Sequence, residues 1–358
     1  MRRILLSLLA LLPLWLAALP LSVRAISIRH PLTSAASRVP AADLPSFDAR
    51  TSLLVVAPHP DDEVLCCAGL IQRVLHAGGR VAIVWITSGD ASDMDRLVIE
   101  KSLFVRPGKL RDLAARRTAE AHAAATILGI PAADQILLGY PDRGVRALLT
   151  DYYSTAYYSR YNGSSTVPYA DALSPGHPYT GVSLERDFNT VLDRVKPTLV
   201  LAPSPRDAHT DHQAAGILVM RAMTRRAQMD NVRYWIVHGG ETWPLLRGYH
   251  PNVRETPSPR SRGLSSGAFA LTPAETDRKL EALRAYRTQM KVMSSFLLSY
   301  VRATELYSTT PMPPPQQQRS LQLQQQQRAP GADQPPVQDA PGGEPALPAA
   351  TPENEPPE

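Results

Sequence analysis

The chain has only two cysteines in 358 residues, Cys66 and Cys67, and they are adjacent. Sequence neighbours do not readily close an unstrained disulfide, so no disulfide framework is expected. The pair reads instead as two small hydrophobes on a buried helix. A thiolate metal site would need further cysteines that the sequence does not hold. Clustered arginines are also lacking, although the formal net charge is +5. A nucleic-acid footprint is therefore not expected, and the basic body reads as a solvated surface or one suited to anionic glycans or a membrane. No internal repeat is visible.

The two ends differ from the middle. Met1-Arg2-Arg3 precedes the apolar stretch ILLSLLALLPLWLAALPLS, and Val23 and Ala25 stand where a signal peptidase reads small residues. Residues 1–25 are expected to be a signal peptide. An uncleaved anchor is the alternative, weakened by Pro13 and Pro20. The reading is of an exported protein, periplasmic or extracellular, anchored or peripheral to a membrane if cleavage fails. Residues 311–358 are rich in Pro and Gln and carry Asp333, Asp339, Glu344, Glu353, Glu355 and Glu358. So few apolar residues cannot offset the entropy of ordering, and disorder is expected.

Between these ends, from about residue 45 to 310, buried-strand runs alternate with helical patterns. Strands are predicted at 53–57, 81–86, 136–138, 198–202 and 234–237. Helices are predicted at 63–76, 111–128 and 184–195, with one long helix over 273–299. This order predicts an α/β, Rossmann-like fold: a mainly parallel sheet with helices on both faces. In such sheets the active site lies at the carboxyl ends of the strands. Two segments, 89–109 and 143–181, break the alternation, and the second holds seven tyrosines. Those are expected either to stack on sugar rings or simply to pack over the sheet edge.

The first strand runs into Pro58-His59-Pro60-Asp61-Asp62-Glu63, and the fourth leads to Asp207-Ala208-His209-Thr210-Asp211-His212. Imidazole with carboxylate and no thiolate suits a catalytic zinc with an open position. Alone, an Asp-Asp pair is more often a helix cap, and a lone His-x-x-His is often just surface. Both motifs following buried strands favour a metal site.

These motifs resemble those of the PIG-L/LmbE family of zinc-dependent N-deacetylases. Thr87-Ser88-Gly89-Asp90, Arg117-Thr118-Ala119-Glu120, Leu138-Gly139-Tyr140-Pro141-Asp142 and Lys279 to Gln289 resemble further family features in the same order. The resemblance implies that His59, Asp62 and His212 hold Zn2+. It implies Asp61 as the general base toward zinc-bound water, and His209 as the acid that protonates the departing amine. Asp211 would orient His209, and Arg117 and Asp142 would lie near the substrate. The implied activity is removal of an N-acetyl group from an amino sugar, polysaccharide or glycoconjugate. A different amide, or a glycan binder without catalysis, is the alternative. His30, His76, His122, His177, His238 and His250 are expected to be structural or surface residues.

Overall fold

The computed structural model describes residues 39–92, 97–101 and 103–312. The expected signal peptide, His30 and all but the first two residues of the expected tail lie outside these. Among the described residues no helix is long and apolar enough to cross a membrane.

Five strands fall close to where the apolar runs place them: β1 (Ser52–Ala57), β2 (Arg80–Thr87), β3 (Gln135–Tyr140), β4 (Leu199–Pro203) and β5 (Val232–Trp235). Leu53 to Ala57 and Val81 to Ile86 are fully buried, as strands covered on both faces must be. These five pair in parallel. Two further strands, β6 (Ser266–Ala270) and β7 (Thr304–Ser308), complete a seven-stranded sheet of order β3-β2-β1-β4-β5-β7-β6. They join it antiparallel. Neither was expected: SGAFA opens on serine and glycine, and TELYS alternates polar with apolar residues without the long apolar run that marks β1 and β2.

The helices that cover this sheet are α1 (Asp62–His76), α2 (Pro107–Ile127), the single turn α3 (Val145–Leu148), α4 (Gly181–Val195), α5 (Thr210–Arg225), α6 (Pro273–Ala285) and α7 (Arg287–Leu298). From β1 the chain winds one way through β2 and β3, then returns beside β1 and winds the other way through β4 and β5. Right-handed crossovers on both halves place α1 and α2 on one face and α4 and α5 on the other. α6 packs against α1 and α2. The strand order reverses between β1 and β4, and the crevice beyond their carboxyl ends is the usual ligand position of such sheets.

Two expectations fail locally. The single helix over 273–299 is two helices that meet at Tyr286, whose ψ of 65° leaves the helical region. There the Tyr286 hydroxyl reaches Glu63 of α1, a tertiary contact with no local signature. Cys66 and Cys67 are joined by a disulfide inside α1, where both were expected unpaired. The expected burial of both holds.

Candidate active site

Both motif-bearing turns stand at the reversal point. The Pro58 carbonyl accepts the Thr87 N–H at 3.0 Å and the Thr87 hydroxyl at 2.9 Å, so the end of β2 fixes the turn after β1. After β4, Asp207 organises its loop. One carboxylate oxygen accepts the His209 N–H at 2.9 Å, and the other accepts those of Val237 and His238 at 2.9 and 3.0 Å. α5 then sets off close against the same turn. A Cβ on Gly216 would stand 2.5 Å from the Pro203 carbonyl oxygen, so only glycine permits that approach.

Three atoms from the two turns converge. His59 Nδ1 and Asp62 Oδ2 are 3.4 Å apart, Asp62 Oδ2 and His212 Nε2 3.2 Å, and His212 Nε2 and His59 Nδ1 3.3 Å. Ligands on one face of a tetrahedron around zinc, at the usual bond length of about 2.0–2.1 Å, stand about 3.3 Å apart. The donor set and its spacing therefore fit a divalent cation such as zinc. Neither Asp61 nor Asp62 caps α1 with its side chain, which removes the ordinary explanation for the pair.

Each imidazole of the triangle is backed by carboxylate. His212 Nδ1 lies 3.3 Å from Asp207, and His59 Nε2 lies 3.3 Å from Asp142 and 3.5 Å from Asp211. Such partners fix the tautomer of a ligating histidine and raise its basicity. Asp61, Asp62, Asp142, Asp207 and Asp211 are all buried here. Burial pushes the His212 imidazole down, but Asp62 and Asp207 outweigh it and carry it to about 9. Burial acts on His59 likewise, and Asp142, Asp211 and Asp62 hold it well above the ordinary value. The site calls for positive charge. Two protonated rings would set N–H against N–H across 3.3 Å, whereas one cation satisfies all three donors.

Asp61 sits beside this triangle with φ of 114°, a backbone conformation that side-chain-bearing residues rarely adopt. Burial and the neighbouring Asp62 push its carboxyl well above the carboxylate range, against the pull of Arg117 and His59. The Arg117 guanidinium, 3.8 Å away, donates to the carbonyls of Gly89 and Pro60 at 2.8 and 3.0 Å. Gly89 has φ of 70°, and a Cβ there would meet the guanidinium at 2.4 Å.

His209 lies across the cleft, its ring 4.7 Å from that of His59. Its Nδ1 accepts the Asp211 main-chain N–H at 3.2 Å, so the neutral ring carries its proton on Nε2. Burial and the rings of His59, His212 and His238 push it down to about 2. The expectation that the Asp211 side chain orients His209 meets a different arrangement. That carboxylate faces His59 and accepts the Arg143 N–H at 2.6 Å. The first turn of α5 points residue 211 back toward the turns after β1 and β3, leaving only its main chain beside His209.

Residues 54–223 match the family model described as PIG-L, GlcNAc-PI de-N-acetylase. Over this span the chain is similar to the PIG-L family. No curated protein matches the chain in sequence. Among solved structures, the A40926 pseudoaglycone deacetylase Dbv21 is 19% identical, with 72% of this chain and 96% of that one covered and a TM-score of 0.47. A deacetylase triple mutant of the teicoplanin biosynthetic pathway is 17% identical over 72% and 97%, with a TM-score of 0.46. The N,N'-diacetylchitobiose deacetylase of Pyrococcus horikoshii is 19% identical over 71% and 82%, with a TM-score of 0.43.

All eight residues singled out from the PIG-L motifs are gathered around this cleft. His59, Asp61, Asp62, Arg117, Asp142 and His209 line it, while Asp211 and His212 stand just behind. Beyond the matched span, Val237, His238, Gln289, Met293 and Phe296 form its remaining wall. His238 was expected to be a structural or surface residue. Its ring lies 4.7 Å from His212 and 5.2 Å from His209 and stacks on Phe296. The signal was its position directly after the fifth apolar run, the same rule that marks His59. His122 and His177 do support structure, through Gln135 and Asp187.

The tyrosines of 143–181 divide. Tyr161, Tyr169 and Tyr179 are buried, and none of the seven lines the cleft. Tyr169 and Asn162 donate to Asp90 at 2.6 and 2.7 Å, and Asp90 accepts the Asp142 N–H at 3.3 Å. The buried part of the segment thus braces Asp142 from behind.

Proposed function

We propose that this PIG-L-like domain is a zinc-dependent hydrolase that removes an N-acetyl group from an amino sugar or a sugar-bearing substrate. The observation that carries this reading is the pairing of the His59–Asp62–His212 triangle with two unlike groups, Asp61 and His209, on the same cleft. His59, Asp62 and His212 would hold the ion, and a zinc there polarises an amide carbonyl and makes water more acidic. Amide hydrolysis also requires a base for water and a proton for the departing amine.

Asp61 supplies the base. With a cation on the neighbouring triangle and Arg117 beside it, its carboxyl would be held ionised against the burial that raises it, and would take the proton from the attacking water. The same carboxyl then hands that proton to the amine nitrogen as the C–N bond breaks. His209 offers Nε2–H to the developing negative charge on the carbonyl oxygen. A cation nearby depresses that imidazole further, which favours hydrogen-bond donation over the acid role that resemblance implies.

The test is acetate release from a panel of N-acetylated sugars and oligosaccharides by zinc-loaded protein, beside Asp61→Asn. Release by the parent and loss in the variant with zinc content unchanged is the expected result. Absence of release from every substrate, with zinc demonstrably bound, would overturn the substrate assignment.

A further inference from the structure

Behind the cleft, one ion pair is wholly buried. Lys279 of α6 and Glu305 of β7 meet at 2.8 Å, and their side chains are 1% and 0% exposed. Both residues lie beyond the span that matches the PIG-L model. Taking such charges out of water is costly, and apolar residues of similar size are often as stable in their place. Stability alone therefore gives no reason for the pair.

Its contacts give one. The Lys279 ammonium donates to the Leu65 carbonyl at 2.9 Å. Glu305 accepts the main-chain N–H groups of Gly69 and Leu70 at 2.8 and 3.1 Å. The Tyr307 hydroxyl, 2.8 Å from the same carboxylate, lies 3.1 Å from the Cys66 carbonyl oxygen. In a regular helix the Gly69 N–H bonds to Leu65 and the Leu70 N–H to Cys66. Every group of those two bonds is thus engaged by a side chain from outside α1. Bonds to charged partners are the stronger competitors, and side chains that enter the ladder bend a helix locally. The same stretch adjoins the site. Asp62 opens α1 one turn earlier, and Leu65 lines the cleft beside Asp61 and Asp62. Ligand distances in a metal site hold to within about 0.2 Å, so a small change in this turn displaces Asp62 from His59 and His212.

We propose that Lys279 and Glu305 are positioning residues, which hold α1 off its regular ladder between Leu65 and Leu70 and so set where Asp62 stands in the triangle. This role rests on the metal reading of the cleft. The test is Lys279→Met combined with Glu305→Met in the full chain. The apolar pair removes the buried charges together and frees the four main-chain groups to bond to one another. Zinc affinity, read by competition with a chelating dye, should fall about 10- to 100-fold, while thermal unfolding stays cooperative and close to the parent's midpoint. Cobalt(II) loaded in place of zinc should give an altered visible spectrum, which follows ligand geometry and not global stability. Tyr307→Phe is the milder companion: it removes only the hydroxyl at the Cys66 carbonyl and should lower zinc affinity about threefold. A folded double variant with the parent's zinc affinity and cobalt spectrum would overturn the proposal and leave the pair purely structural. If the double variant does not fold, an affinity and spectrum unchanged in Tyr307→Phe would overturn it equally. A parent that binds no zinc would overturn the metal reading itself, and this role with it.

Discussion

Glu63 accepts the main-chain N–H of Asp61 at 3.3 Å, directly behind the cleft. The same carboxylate accepts the Trp85 indole N–H at 2.9 Å and the Tyr286 hydroxyl. Three elements distant in sequence thereby meet on one buried side chain, which anchors the residue whose φ of 114° aims the proposed base. Backbone strain of this kind persists only where the surroundings over-determine it.

Glu63→Gln keeps one acceptor for the Asp61 and Trp85 N–H groups but turns an amide N–H onto the Tyr286 hydroxyl, which must then accept where it had donated. It should cost about 1–3 kcal/mol of stability. It should also lower kcat by roughly tenfold or more through misplacement of Asp61, with KM little changed. Tyr286→Phe removes one donor and should do less on both counts. Denaturant unfolding and steady-state kinetics on the same preparations check this, and an unchanged kcat in a destabilised Glu63→Gln would leave Glu63 purely structural.

Asp207→Asn should weaken zinc binding by about 10- to 100-fold, because it removes the carboxylate behind His212 Nδ1. Competition with a chelating dye measures it. An affinity equal to that of the parent would mean that His212 is held by packing alone.

Gly216→Ala should destabilise. In an exposed helix this change stabilises by about 1 kcal/mol, so the sign itself is diagnostic. Here the new Cβ would lie 2.5 Å from the Pro203 carbonyl oxygen, a backbone atom that cannot swing aside. α5 would be pushed off its turn and His212 displaced, so zinc affinity should fall along with the melting temperature.

Glu255 lies away from the cleft triangle, and burial pushes its carboxyl up to about 8, against the pull of Lys279. A carboxyl raised on folding binds its proton more tightly in the native state. Its contribution is fully present below the unfolded value near 4.5 and is lost as pH rises through about 8. Stability should therefore fall across that window from this group, by an amount of order a few kcal/mol. Glu255→Gln, which cannot ionise, should flatten the slope. An identical pH profile of unfolding in the variant would show that Glu255 does not titrate as described.

Much of the cleft was legible because its residues lie in short runs next to strong local signals. The apolar runs at 53–57 and 198–202 mark buried strands from composition alone. The turn after each then places His59 with Asp62, and His212, at one end of the sheet. His238 followed the same rule but stands alone after its strand, without a second ligand type beside it, and so carried too little weight. Asp207, Glu63 and Tyr286 stand inside the quoted motifs, yet nothing in the sequence marked a role for any of them. Their importance is a matter of what faces them, and those partners come from far along the chain.

The sequence by itself determined the five buried strands of a mainly parallel sheet, the end of that sheet where the candidate site lies and the residue types that gather there. Hydrophobic periodicity and turn chemistry are local, so they survive without the fold. Only the tertiary structure decided that Asp211 faces His59 instead of His209, that most of the tyrosine segment packs as a brace or stays outside the cleft, and that 273–299 breaks at Tyr286. Each depends on a contact across tens or hundreds of residues, where the energy of one buried hydrogen bond or ion pair overrides local preference.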